Sequence, residues 1–118
     1  MFENVIEISL LYDFYGQLLT AKQRELLRLY HEDNYSLSEI AEEYGISRQG
    51  VHDAVKKAEK SLHTYENKLG LVSKFTATEE AVAEIDSEID RLMGENSQNQ
   101  KLTERLKHIK TIIDKIND

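Results

Sequence analysis

The sequence predicts an all-α protein organised around a helix-turn-helix. Three observations carry that prediction. No proline occurs among the 118 residues, so nothing removes a backbone donor from a helix interior. Apolar residues recur at helical spacing along nearly the whole chain,. Two helix-start signals, Ser36-Leu-Ser-Glu39 and Ser47, stand 11 residues apart with Gly45 between them, which demands two helices joined by a very tight turn.

The elements follow in order. Residues 2–15 read as a helix that is apolar almost all round, through Val5, Ile6, Ile8, Leu10, Leu11, Tyr12, Phe14 and Tyr15. Such a helix is covered on more than one side, either as a central core helix or against a partner subunit, and Gly16 ends it. Thr20-Ala-Lys-Gln23 is a capping box that opens a second helix, with Leu26, Leu27 and Tyr30 facing inward and a stop near Asn34,. Ser36 opens a short helix through Ile40, Ala41 and Tyr44, with Gly45 as its left-handed terminator,. Ser47 opens the next, with Val51, Ala54, Val55, Ala58, Leu62, Tyr65 and Leu69 on its inner face and Gly70 at its end. Thr78 or Thr76 is expected to cap a further helix carrying Val82, Ile85, Ile89 and Leu92. A second stripe of Leu102, Leu106, Ile109, Ile113 and Ile116 is out of register with the first, so a turn near residues 94–99 is expected rather than one continuous coiled coil,. The organisation predicted is a three- to four-helix domain over residues 1–75 and a C-terminal helical extension over 76–118.

Composition narrows the function. The chain carries 15 basic and 22 acidic residues, a net charge of −7. Residues 1–75 hold nine basic and twelve acidic residues, a balance of −3, and residues 76–118 hold six and ten, a balance of −4. That opposes indiscriminate nucleic-acid binding, which needs a positive surface, but leaves room for a local basic patch. No cysteine is present, so there is no disulfide framework and no thiolate chemistry. No apolar run approaches the ~20 residues of a membrane span, and the N-terminus lacks the basic start of a secretory signal; a cytoplasmic protein is expected. The four histidines are scattered, without the spacing of a metal site,. His31, beside Glu32 and Asp33, reads as a cation near a helix C-terminus. No glycine-rich phosphate loop or nucleophile motif appears. A binding protein without a cofactor is expected, not an enzyme.

The informative segment runs from Leu37 to Val55. Ala41 sits where two helices cross, Gly45 makes the turn, Ile46 plugs the angle between the helices, and Val51 and Val55 anchor the second helix to the first,. The second helix would then turn Arg48, Gln49, His52, Asp53, Lys56 and Lys57 outward. Arg48 suits guanine O6/N7 and Gln49 suits adenine N6/N7. Ser47 at the helix N-terminus can hold a phosphate, and Lys56, Lys57 and Lys60 form a stripe suited to backbone contacts. The candidate nucleic-acid-binding set is Ser47, Arg48, Gln49, His52, Lys56, Lys57 and Lys60. The same residue types also make an ordinary solvated helix face, and Asp53, Glu59 and the preceding Glu39, Glu42 and Glu43 oppose a phosphate backbone.

Residues Thr20 to Leu62, from Thr-Ala-Lys-Gln-Arg-Glu-Leu-Leu-Arg-Leu-Tyr through Glu-Ile-Ala-Glu-Glu-Tyr-Gly-Ile-Ser-Arg-Gln-Gly-Val to Ala-Glu-Lys-Ser-Leu, resemble region 4 of bacterial sigma factors. With Leu-Leu-Tyr-Asp-Phe-Tyr-Gly before them and Tyr-Glu-Asn-Lys-Leu-Gly-Leu after, the chain is more similar to the YlxM family of small bacterial proteins. The resemblance covers about residues 1–75. It implies a sigma-region-4-like or winged-helix-like fold. It also implies a DNA-binding regulator or accessory factor of targeting by the signal recognition particle, with Arg48, Gln49, His52 and Lys56 as contacts. Gly50 and Asp53 depart from a strongly basic recognition helix. Two classes of partner follow. One is nucleic acid, as duplex DNA or the particle's RNA. The other is protein, such as the particle's GTPase, with the helix-turn-helix serving as a scaffold. The all-round apolar first helix and the two C-terminal stripes also predict a homodimer.

Overall fold

The computed structural model describes residues 2–116, and the side chains of residues 7–116. Val5 and Ile6, expected on the apolar first helix, lie outside the described side chains. The described residues form α1 (Phe2–Tyr15), α2 (Ala21–Leu27), α3 (Leu37–Tyr44), α4 (Arg48–Leu69), α5 (Leu71–Glu95) and α6 (Gln100–Ile116), with a 3-10 turn at Gly16–Leu18 and a π turn at Arg28–Glu32. There is no strand among them, so the helix-turn-helix carries no β-wing there. The chain divides into two compact units between Val72 and Ser73. This division falls inside α5.

In the first unit, α1 buries Ile8, Leu11 and Tyr15, one stripe at helical spacing, while Leu10, Tyr12 and Phe14 are half-buried. That stripe packs on α4, which contributes Val51, Val55, Ala58 and Leu62 to a common core with Leu26, Leu27, Leu29 and Ile40. Ile40, Val51, Ala58 and Leu62 have no exposed surface. Full burial of an aliphatic side chain contributes roughly 1.5–3 kcal/mol, so this inner face of α4 is the mainstay of the unit. Leu69, expected on that face, is instead 55% exposed, because the last turn of α4 runs beyond the helices packed against it.

Local chemistry sets the helix ends. The Thr20 and Ser36 side chains accept hydrogen bonds from the Gln23 and Glu39 amides, and the Gln23 and Glu39 side chains reach back to the cap amides. The returned bond from the Ser36 amide holds the Glu39 carboxyl below the usual carboxylate range. Gly45 (φ 66°) and Gly70 (φ 63°) end α3 and α4 in the left-handed region, where a Cβ is disfavoured.

Helix α5 starts earlier than the sequence suggested. Neither Thr76 nor Thr78 caps it; it begins at Leu71, directly after Gly70. Its first amides find acceptors far away in sequence or on the preceding helix. The Leu71 amide donates to the Tyr15 hydroxyl (3.1 Å) and the Val72 amide to Glu66 Oε1 (3.0 Å). Tyr15 in turn donates to the same Glu66 oxygen at 2.5 Å. Burial, and then this bond, raise the Tyr15 pKa and keep it a donor.

The second unit is a helical hairpin. Ile89, Leu106 and Ile113 are buried in its seam, flanked by Val82, Met93 and Leu102. The expected turn is present: the Asn99 amide donates to the Asn96 carbonyl (2.9 Å), and Asn99 Oδ1 accepts from the Leu102 amide to cap α6 (3.1 Å). Of the two predicted apolar stripes, Ile85, Leu92, Ile109 and Ile116 are exposed rather than buried, because two helices can cover only the residues facing their common seam.

Candidate nucleic-acid interface

The site is built on the start of α4. Ser47 is the N-cap, its hydroxyl oxygen accepting from the Gly50 amide at 3.0 Å. A Cβ at Gly50 would come within 3.1 Å of that oxygen, a close fit that the residues at the same place in the other two caps, Gln23 and Glu39, also meet. The tight α3–α4 turn is closed by the Ile46 amide donating to the Ala41 carbonyl at 3.1 Å, the signature of a Schellman-type helix end. Ala41 is buried against α4, as its small size requires. Ile46 is 38% exposed, so it covers the corner and does not fill it.

With Val51, Val55, Ala58 and Leu62 buried, the 3.6-residue period turns Ser47, Arg48, Gln49, His52, Lys56, Lys57 and Lys60 outward, and all seven are exposed,. They form one connected face over the first half of α4. Within it the residues are not equally free. Gln49 Nε2 donates to Asp53 Oδ1 at 2.9 Å, and His52 Nδ1 lies 3.4 Å from the same oxygen. Lys56 Nζ is 3.6 Å from Glu59. Among the described residues Arg48, Lys57 and Lys60 have no ion-pair partner. Glu39, Glu42 and Glu43 are exposed on α3.

One pair went unseen in the sequence. His31 Nε2 lies 2.7 Å from Glu59 Oε2, with both side chains more than four-fifths covered. The hydrogen bond from His31 holds the Glu59 carboxyl below its ordinary range, against the opposing effect of burial. The reading of His31 as a helix-end cation missed this partner, 28 positions away. Both residues line a groove of about 790 Å³ beside the recognition helix, together with Tyr30, Tyr35, Lys56 and Lys60 among others. The π turn carries both residues: Leu29 is buried in the core and His31 reaches across to α4.

Comparison with known proteins agrees with the helix-turn-helix. The profile of a family described as "UPF0122: Putative helix-turn-helix protein, YlxM / p13 like" matches residues 2–109. The chain belongs to this family. A UPF0122 protein of Listeria welshimeri is 40% identical over 109 residues, spanning 92% of this chain and 99% of its own. One from Geobacillus kaustophilus is 41% identical over 106 residues, 90% of this chain and 96% of its own. One from Caldanaerobacter subterraneus reaches 58% over 74 residues, 63% of each chain. The match covers the helix-turn-helix and reaches into α6 of the hairpin. No group of metal-ligating side chains occurs among the described residues, and none of their helices is long and apolar enough to cross a membrane.

Proposed function

We propose that this chain is a cytoplasmic regulatory or accessory protein of the signal recognition particle pathway that binds nucleic acid, either duplex DNA or the particle's RNA, through the first half of α4. The observation that carries the reading is the exposed face of Ser47, Arg48, Gln49, His52, Lys56, Lys57 and Lys60 on the second helix of a helix-turn-helix. Arg48, Lys57 and Lys60, without ion-pair partners among the described residues, are ready to neutralise phosphates; Arg48 and Gln49, near the N-terminus of α4, occupy the place from which a recognition helix reads base edges. The link to protein targeting rests on the similarity to the YlxM family. The reading needs no cofactor and no catalytic step. A homodimer, presenting two recognition helices, belongs to it.

A second reading has its own support. Asp53 occupies both Gln49 and His52, and the acidic α3 lies beside the recognition face. Both suit an adaptor that docks on a basic protein such as the particle's GTPase, with the helix-turn-helix as scaffold. Fluorescence anisotropy against signal recognition particle RNA and random duplex DNA, stepped from low to physiological salt, separates the two. Binding that weakens steeply with salt, and is lost in the Arg48→Ala, Lys56→Ala double variant, supports the first reading. No binding to either probe at low salt overturns it.

A further inference from the structure

The α5–α6 hairpin is asymmetric about its seam. On one side Lys110 closes the gap between the helices. Its Nζ bonds Asp90 Oδ1 at 2.5 Å and lies 3.6 Å from Asp86, and the Asp90 bond raises the Lys110 pKa. On the other side the flank bears Ile85 and Leu92 from α5 and Ile109, Ile112 and Ile116 from α6, between 42% and 60% exposed. At roughly 100° per residue, these five lie a fraction of a turn from the buried Ile89, Leu106 and Ile113. Because the helices run antiparallel, the two flanks come to the same side. One face of the hairpin is thus sealed by ion pairs and the other is an open aliphatic strip.

The charges say what lies on that strip. Helix α5 carries seven acidic and two basic residues; α6 carries five basic and two acidic. A partner built like this hairpin offers an aliphatic strip bordered by one acidic and one basic helix, the complement of this one. A two-fold interface brings the same patch against itself. A two-fold axis parallel to the helices sets each acidic α5 against a basic α6, antiparallel, with like helices diagonal. The alternative two-fold axis, perpendicular to the helices, stacks α5 on α5 and sets like charges together.

We propose that this face is the surface through which two copies associate, α5 of each lying antiparallel on α6 of the other to complete a four-helix bundle. The proposal deepens the homodimer part of the proposed function and does not depend on which ligand the recognition helix takes. It also enlarges a small core, since only three of the hairpin's described residues are buried within one copy.

The test uses the full chain. Ile85→Glu with Ile112→Glu alters side chains already half exposed in one copy, so helix content by circular dichroism is expected to stay the same. In sedimentation equilibrium the dimer dissociation constant is expected to rise on the order of a hundredfold, from the loss of aliphatic burial at two symmetric positions. The absence of native cysteine allows a second, geometric test. Ile85→Cys and Ile112→Cys chains, made separately and mixed under mild oxidation, are expected to give the mixed 85–112 disulfide in preference to either self-pair. A wild-type chain that is monomeric at tens of micromolar overturns both the homodimer reading and this surface. A dimer indifferent to the glutamates, or one yielding only the self-paired disulfides, overturns the surface and its pairing while leaving the dimer standing.

Discussion

Replacing Asp53 by alanine is expected to tighten nucleic-acid binding, an unusual direction for a change inside a recognition helix. Asp53 acts against binding in two ways. Its carboxylate holds the Gln49 amide at 2.9 Å, so Gln49 must release it before meeting a base edge. An exposed Gln–Asp pair on a helix is worth about 0.2–0.5 kcal/mol. The carboxylate also repels the nearest phosphate: at a separation of ~7 Å in water the Coulomb cost is about 0.6 kcal/mol, and physiological salt removes about half of it. The two effects together give roughly 0.5–0.8 kcal/mol, about a two- to fourfold tighter dissociation constant for each recognition helix engaged. Alanine is the strongest helix former, so folding does not obscure the readout. The assay is an anisotropy titration of wild-type and Asp53→Ala protein on the same probe at fixed salt. An unchanged or weaker affinity would refute the premise that this face of α4 meets phosphate and base.

Three further outcomes are expected. Arg48→Ala and Lys57→Ala, each removing a cation that has no ion-pair partner among the described residues, should each lower the slope of log affinity against log salt by about 1; a slope unmoved by either places the phosphate contacts elsewhere. The lowered carboxyl of Glu59 makes its bond to His31 a stabilising contribution that is present above the ordinary carboxylate value of 4.5 and is lost as pH falls through the lower folded value,. The urea midpoint of Glu59→Gln should therefore trail the wild type at pH 6 and converge with it towards pH 3; a constant gap would assign the loss to packing. Tyr15→Phe keeps the buried ring but removes the acceptor of the Leu71 amide and the donor to Glu66. Hydrogen exchange should accelerate first at Leu71 and Val72, ahead of the amides in the middle of α4; uniform acceleration would show that the clasp is not local.

What the sequence revealed and what it hid divides along a physical line. Thr20, Ser36, Ser47, Gly45 and Gly70 act through neighbours within a few positions, and each marks the helix end expected of it. The outward set from Ser47 to Lys60 was legible because helical period alone decides which residues oppose Val51, Val55, Ala58 and Leu62. Hidden were the features that depend on distant partners. Helix α5 starts at Leu71 because Tyr15, 56 positions away, receives its first amide. Glu59 reads as a mere acidic blemish on a basic stripe until His31 is brought against it. Ile85 and Ile109 have the spacing of core residues, and period cannot say whether one neighbour or two will cover a helix.

The π turn at Arg28–Glu32 makes the length of one segment more informative than its letters. An α-helix with one residue fewer there would advance everything after it by about 100°. Either Leu29 or His31 would then leave its place, and no substitution could restore both. Removing a single residue between Leu27 and His31 should therefore separate His31 from Glu59, whereas changing the exposed side chains of that run should not. In this family the number of residues between the counterparts of Leu27 and His31 would tell which members keep the pair, before any of their structures is known.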